Sequence, residues 1–214
     1  MKNRKPKLSQ SFQHWLLILV LVAFLATTGV LWVVQTKLSE ENAISLLRLN
    51  LSDVRQDVID ASNENLIDLS WQIAEDLNQE ETIDSGLLLA LTETYDVSEI
   101  NCIDSNGFIY ATTYPDFQDY DMRSGEQSAE FLVLLYDKES YVQSYRPVSY
   151  DGSLYRKYGG VILDRGGFVQ VGYDAERFQR DIDEFVVGVT RNRHVGTNGG
   201  IIIVDEDWNI VSDR

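Results

Sequence analysis

Cysteine is almost absent. Cys102 stands alone among 214 residues, so no intramolecular disulfide can form. A chain of this length buries an adequate core without one, and the apolar run around Cys102 predicts a buried rather than a reactive thiol. Histidine is nearly as scarce: His14 lies at the edge of a long apolar run and His194 in a basic loop, and neither belongs to a recognisable constellation. The G-x-S-x-G, H-E-x-x-H and paired-cysteine patterns are missing as well. No catalytic residue and no enzyme are therefore expected within this stretch. Nor is a metal or cofactor expected. Asp104-x-Asn106-Gly107 lacks the further oxygen ligands and closing Glu of a calcium loop, and the glycine-rich run Gly196 to Gly200 lacks the Lys-Ser/Thr of a phosphate loop; both are expected to be turns. Basic residues are in the minority, 18 against 34 acids, for a net charge of −16. Residues 1–37 hold five Lys or Arg and no acid, which leaves −21 for the remainder. Such a surface repels nucleic acids and anionic lipid, so no nucleic-acid partner is expected.

What the sequence does hold is one long apolar run, Trp15 to Val34, of 20 residues without a charge. At about 1.5 Å per residue it spans a hydrocarbon core of about 30 Å. The rival, a signal peptide, would have an apolar stretch of about 7–15 residues and a small-residue cleavage site, and no A-x-A pattern lies near the end of this run. Trp15 and Trp32 sit near its ends, where interfacial aromatics belong. Four basic residues precede it, whereas acids follow soon after Lys37. The positive-inside rule thus places residues 1–14 in the cytoplasm as a basic tail, 15–35 in the membrane, and everything after Lys37 outside.

Residues 36–82 form a candidate stalk helix, since no Pro or Gly occurs from Leu38 to Ser85. Leu47, Leu51, Val54, Val58 and Ala61 recur at heptad spacing, and Leu66, Leu69, Ile73 and Leu77 continue an apolar stripe. The stripe suits a partner helix in a homodimer, the domain's own sheet, or first one and then the other. Beyond it the pattern turns to period two: a strand Glu99–Ile103, a turn at Asp104–Gly107, and a return strand Phe108–Thr113. A helix over Gln127–Leu135 follows, then strands at Tyr141–Tyr150, Leu154–Leu163 and Phe168–Tyr173, and a helix over Ala175–Phe185. Five antiparallel strands with helices to one side predict an α+β domain. The chain also repeats itself at an offset of 101 residues, Ile100–Ala111 against Ile201–Ser212, each reading strand, Asp-led turn, strand. A module over 83–186 and the start of a second, truncated module over 187–214 are expected.

This layout resembles the double Cache class of extracellular sensors, which are tandem PAS-like modules. Glu99–Ala111 looks like the opening strand-turn-strand, Phe168–Asp174 like the closing strand with its Gly and final Asp, and Val195–Asp205 like the entry to the second module. The stretch Met122–Leu132 is similar to bacterial membrane proteins in which such a sensor precedes a phosphatase, a histidine kinase or a diguanylate cyclase. The resemblance implies a PAS-like five-stranded sheet with flanking helices that binds a small molecule and relays its presence through the membrane. In amino-acid-binding members an Arg-x-Trp-Tyr stretch grips the ligand carboxylate and an Asp after the last strand grips its amine. Asp174 stands in the matching place; no Arg-x-Trp-Tyr occurs here.

Residues expected at a ligand site are the ring-and-hydroxyl side chains Tyr141, Tyr145 and Tyr158, the guanidinium groups Arg123 and Arg146, which suit a carboxylate, and Asp174, for which a helix N-cap is the competing role. Ligand-sensing input to a signalling protein is the expected function. The alternative is a static surface or envelope-assembly domain, whose sheet face would be filled by large side chains.

Overall fold

The computed structural model describes residues 7–149, 151–191, 193–195, 199–205 and 207–210, with side chains from Phe12 onward, Val195 excepted. Tyr150, most of the basic tail, Gly196 to Asn198 and the repeat residues Val211 and Ser212 lie outside them.

Helix α1 runs unbroken from Lys7 to Gln79. Its apolar part has a mean hydropathy of 2.7 over an 18-residue window, with none of that window buried, and is long and apolar enough to cross a membrane. Hydroxyls inside it are satisfied by the helix itself: Thr27 and Thr28 donate to the Phe24 carbonyl and Thr36 to that of Trp32. That arrangement removes the cost of placing a hydroxyl in an apolar medium.

The chain divides into two compact units at Ser52 and Asp53. In the first, Leu38, Ile44, Leu47 and Leu51 are exposed. In the second, α1 buries Val58, Leu66, Ile73 and Leu77, with the small side chains of Ser62, Ser70 and Ala74 interspersed. This is one helical face at spacings of three and four.

A second helix, α2 (Ser85–Tyr95), starts where Asp84 accepts a hydrogen bond from the Leu87 amide at 2.9 Å. It was not expected from the sequence, although Asp84 is an N-cap residue type and Leu88 and Leu91 lie on one face. Strands β1 (Glu99–Ile103) and β2 (Ile109–Thr112) form the expected hairpin. The chain then passes through short 3-10 turns at Pro115–Phe117 and Met122–Ser124. The helix expected over Gln127–Leu135 is one α turn, α3 (Glu126–Ala129), tightening into a 3-10 helix, Glu130–Leu135. The strand expected over Tyr141–Tyr150 is two short ones, β3 (Ser140–Val142) and β4 (Arg146–Val148), both paired with the long β5 (Asp151–Ile162). Strand β6 (Phe168–Tyr173) and helix α4 (Ala175–Thr190) complete the fold.

The sheet is antiparallel with order β2-β1-β6-β5-β3, and β4 adds to the free part of β5. The domain is α+β. Helical segments cover both faces of the sheet rather than one. On the first face, Ile100, Cys102, Val161, Val169 and Val171 pack against α1 and α2. On the second, Ile103, Ile109 and Phe168 pack against Met122, Phe131 and Leu134. Cys102 is wholly buried, and burial pushes its thiol pKa up to about 12.

The hairpin turn recurs 101 residues on. Asp104 accepts from the amides of Asn106 and Phe108, and Asp205 from those of Asp207 and Asn209. Pairing of Ile103 with Ile109 is matched by that of Val204 with Ile210. Gly107 at φ +84° has its counterpart in Trp208 at φ +65°. Two short strands, β7 (His194–Val195) and β8 (Gly199–Gly200), pair before this second turn.

Candidate functional site

On the second face, two rows of residues cross the sheet in register. One is Thr112, Asn101 and Gln170; the next is Glu99, Gly172 and Tyr158. Alternation places them all on the same face, and residues opposite one another in antiparallel pairs lie within about 5.5 Å. The result is a polar island in an apolar sheet, with Glu99, Asn101 and Thr112 each no more than 2% exposed.

The island is internally bonded. Asn101 Nδ2 donates to Glu99 Oε1 at 2.7 Å and to Gln170 Oε1 at 3.1 Å. Thr112 Oγ1 donates to Asn101 Oδ1 at 2.6 Å, which fixes which way that amide faces. Tyr158 Oη donates to Glu99 Oε2 at 2.8 Å. Glu99 thus receives two neutral donors, and no basic group among the described residues lies within ion-pair distance of it. Burial raises its carboxyl above the ordinary range; the bonds from Asn101 and Tyr158 and the field of Arg156 offset this only in part.

Over the island the covering segment does not close. A cavity of about 100 Å³ remains, floored by Glu99, Asn101, Tyr158 and Gln170. Phe117, Tyr120 and Met122 form an apolar wall, and Gln127, Gln143 and the exposed Ser149 complete the rim. Among the described residues no Lys, Arg or His lines it. Gln143, only 3% exposed, donates its Nε2 to the Gln127 carbonyl and to Glu130, but its Oε1 has no partner.

Glycine at 172 makes the floor possible. A Cβ there would come within 2.7 Å of Tyr158 Cε1 and 3.2 Å of Glu99 Cβ. The Tyr158 ring therefore lies across β6 to reach Glu99 only because that position has no side chain. Gly172→Ala is expected to destabilise the domain by about 1–3 kcal/mol. Adding Tyr158→Phe should then cost little more, because the ring is already displaced; thermal melts of the two single variants and the double variant measure this non-additivity.

Of the residues expected at a site, Tyr158 lines the cavity. Tyr141 and Arg146 stand one hydrogen bond behind its wall. Both bind Glu130, at 3.0 and 2.7 Å, and Glu130 accepts from Gln143 at 2.9 Å. Burial raises the Glu130 carboxyl, but Arg146, Tyr141 and Gln143 outweigh it and hold the group below its ordinary value. Tyr145 stacks on Phe178 of α4 with ring centres 4.3 Å apart. Asp174 caps α4, accepting from the Arg177 amide at 2.8 Å. Arg123 is exposed, pairs with Asp121 and lies over Phe108. Glu99, Asn101, Gln143 and Gln170 were not singled out from the sequence. Their signal is a polar residue at every second place in otherwise apolar strands, which marks a buried polar row once both faces are covered.

A second buried polar group lies on the opposite face. Lys157, 2% exposed, donates to Ser62 Oγ of α1 at 2.6 Å. Burial depresses its pKa to about 8 against the pull of Asp181. Asp181 pairs with Arg177 at 3.1 Å, and burial raises its carboxyl.

No protein-family model and no curated protein matches the chain. Among solved structures it is similar to an extracellular ligand binding receptor from Desulfohalobium retbaense DSM5692, at 17% identity and a TM-score of 0.45 over 63% of this chain. The chain spans about a quarter of that receptor's length, 26%. It is also similar to the sensory domain of the Campylobacter jejuni chemoreceptor Tlp3 (CcmL) with isoleucine bound, at 12% identity and a TM-score of 0.44, covering 78% of this chain and 72% of that one. The E. coli DcuS sensor domain matches at 14% identity and a TM-score of 0.41, covering 59% of this chain and 98% of its own.

Proposed function

We propose that this chain is the ligand-sensing input module of a membrane-anchored signalling protein, with the cavity over Glu99 as its binding site. The observation that carries this is the cavity itself. A static surface domain would fill its sheet face with large apolar side chains, whereas here a buried carboxylate, three buried carboxamides and a tyrosine hydroxyl converge on an unfilled space. The module binds and does not catalyse. The flanking charges of the apolar helix favour a cytoplasmic N-terminus and an exterior domain.

Relay requires that the ligand bind two states of the module differently. Strand β5 is suited to carry the difference, because Tyr158 touches the cavity floor while its neighbour Lys157 holds Ser62 of α1 on the other face. A shift of β5 is felt at the helix. The exposed Leu38, Ile44, Leu47 and Leu51 suit a homodimer through the stalk, and the repeated Asp-led turn suits the opening of a second PAS-like module. The output domain would lie on the far side of the membrane.

The test is a thermal-shift screen of the full chain in detergent micelles against amines, amino acids, small carboxylates, alcohols and sugars. A true ligand stabilises the folded state by about 2.7 kcal/mol at a hundredfold excess over its dissociation constant. The shift should vanish in Ser149→Trp, which plugs the exposed rim without touching the core. A well-folded sample that no compound shifts would favour the static surface domain.

A further inference from the structure

The lining of the cavity discriminates by charge. Its one ionisable acid is Glu99, and the fully buried polar atom of the lining that lacks a partner, Gln143 Oε1, is an acceptor. A carboxylate offers about four acceptor positions and Glu99 has two filled, by Asn101 and Tyr158. Gln143 Oε1, on the same lining, has none filled. A buried acceptor left in this state is expensive, so the complementary guest is one rich in N–H donors. The same lining carries the rings of Phe117 and Tyr120, and aromatic faces attract cations. No basic side chain among the described residues is present to hold an anion; the two guanidinium groups expected to do so, Arg146 and Arg123, are engaged with Glu130 and Asp121 away from the lining. Size limits the guest further. An apolar cavity of about 150 Å³ holds benzene, so about 100 Å³ holds a molecule of about four heavy atoms.

We propose that the ligand is a small organic ammonium ion, held by Glu99 as its counter-ion, with Gln143 Oε1 accepting a second N–H and the Phe117 and Tyr120 rings enclosing its apolar part. This rests on the cavity being the ligand site. Such a guest gives Glu99 the partner it lacks, and a free carboxylate or amino acid is disfavoured because its anionic end would face an unneutralised acid.

The proposal has a pH signature. The other titratable groups on the lining are Tyr158 and Tyr120, and the charged group whose field acts on Glu99 is Arg156. Glu99 is the one carboxyl group on the lining among the described residues, so its ionisation sets the pH dependence. Burial raises its carboxyl, and the ammonium binds the ionised form, so binding releases a proton. Apparent affinity therefore rises with pH, by at most about tenfold per unit, until Glu99 is ionised in the free protein, and is flat above that.

The experiment uses the full chain in micelles with three probes of similar size: n-propylammonium, 1-propanol and propionate, at about 10 mM. Propylammonium is expected to raise the melting temperature and the other two to leave it unchanged. Glu99→Gln, which retains the shape and removes the charge, should weaken propylammonium binding by about 30-fold or more and abolish its pH dependence. If Glu99→Gln fails to fold, Glu99→Asp replaces it: binding weakens and its pH dependence persists. The ligand class is overturned if propionate or propanol binds as well as propylammonium, if Glu99→Gln binds it unchanged, or if propylammonium gives no shift while another compound does. In each of these cases the sensing cavity stands as long as Ser149→Trp blocks the compound that binds. If no compound of the wider screen binds either, the sensing function falls with the proposal.

Discussion

Gly167→Ala is expected to prevent the sheet from assembling, while the same substitution one residue earlier is tolerated. Both glycines have positive φ, +90° at Gly166 and +77° at Gly167. Alanine in that region costs about 1–2 kcal/mol at either position. Surroundings separate them. A Cβ on Gly166 meets nothing within 4 Å, whereas one on Gly167 would overlap the Ile103 carbonyl oxygen and lie 3.0 Å from Asp104 C. Those are backbone atoms at the end of β1, where Ile103 pairs with Phe168. No rotamer change relieves the clash; β1 must leave β6, and with it Glu99 and Asn101 leave the cavity floor. The expected loss for Gly167→Ala exceeds about 3 kcal/mol, against about 1–2 kcal/mol for Gly166→Ala. Paired thermal melts check it. Equal melting temperatures for the two variants would contradict this account of the turn.

Lys157→Met is expected to stabilise the protein, and only below a defined pH. Lys157 is buried beside Asp181, and burial depresses its pKa from 10.5 to about 8. A depressed folded-state pKa means that stability is fully present above pH 10.5 and falls as pH drops towards 8. Below 8 the cost is constant, at about 3 kcal/mol by the usual conversion of a pKa shift. Methionine removes that cost but leaves Asp181 with Arg177 as its partner, so the net gain is about 1–3 kcal/mol at neutral pH. The gain should shrink between pH 8 and 10.5 and vanish above. Stability measured against pH for both proteins tests this, and a gain that did not depend on pH would assign it to packing instead. A lysine that stability would dispense with, tying β5 to α1 through Ser62, suits a mechanical role for that contact in relay, and Lys157→Met should bind ligand without transmitting it.

Much of the fold was legible because its signals are local. Asn106-Gly107 after Asp104 specifies a tight turn through side-chain acceptance and positive φ, so the hairpin lies where the sequence puts it, and the second Asp-led turn at Asp205 has the same bonds. Asp174 caps α4 for the same local reason. Errors arose where local signals compete. The run Tyr141–Tyr150 alternates like one strand, yet β5 pairs with it in two pieces, with Gln143 directed to the cavity rim at the break. Leu87, Leu88 and Leu91 form a short helix whose apolar side chains look like loop or strand residues until α1 and β1 supply a surface to pack on.

The sequence by itself determined the membrane-length apolar helix, the acidic remainder, the α+β order of elements and the absence of any disulfide, since each depends on composition or on spacing along the chain. Tertiary structure alone decided two matters. It turned the distal half of the long helix, from Val58 onward, onto the sheet, whereas the heptad left partner helix and sheet equally open. It also decided which polar residues share the cavity, setting Tyr158 of the meander beside Glu99, Asn101, Gln143 and Gln170. The last four come from β1, β6 and the chain just after β3, up to 71 positions apart in sequence, and their side chains converge only when pairing sets them side by side under a cover that shuts out water.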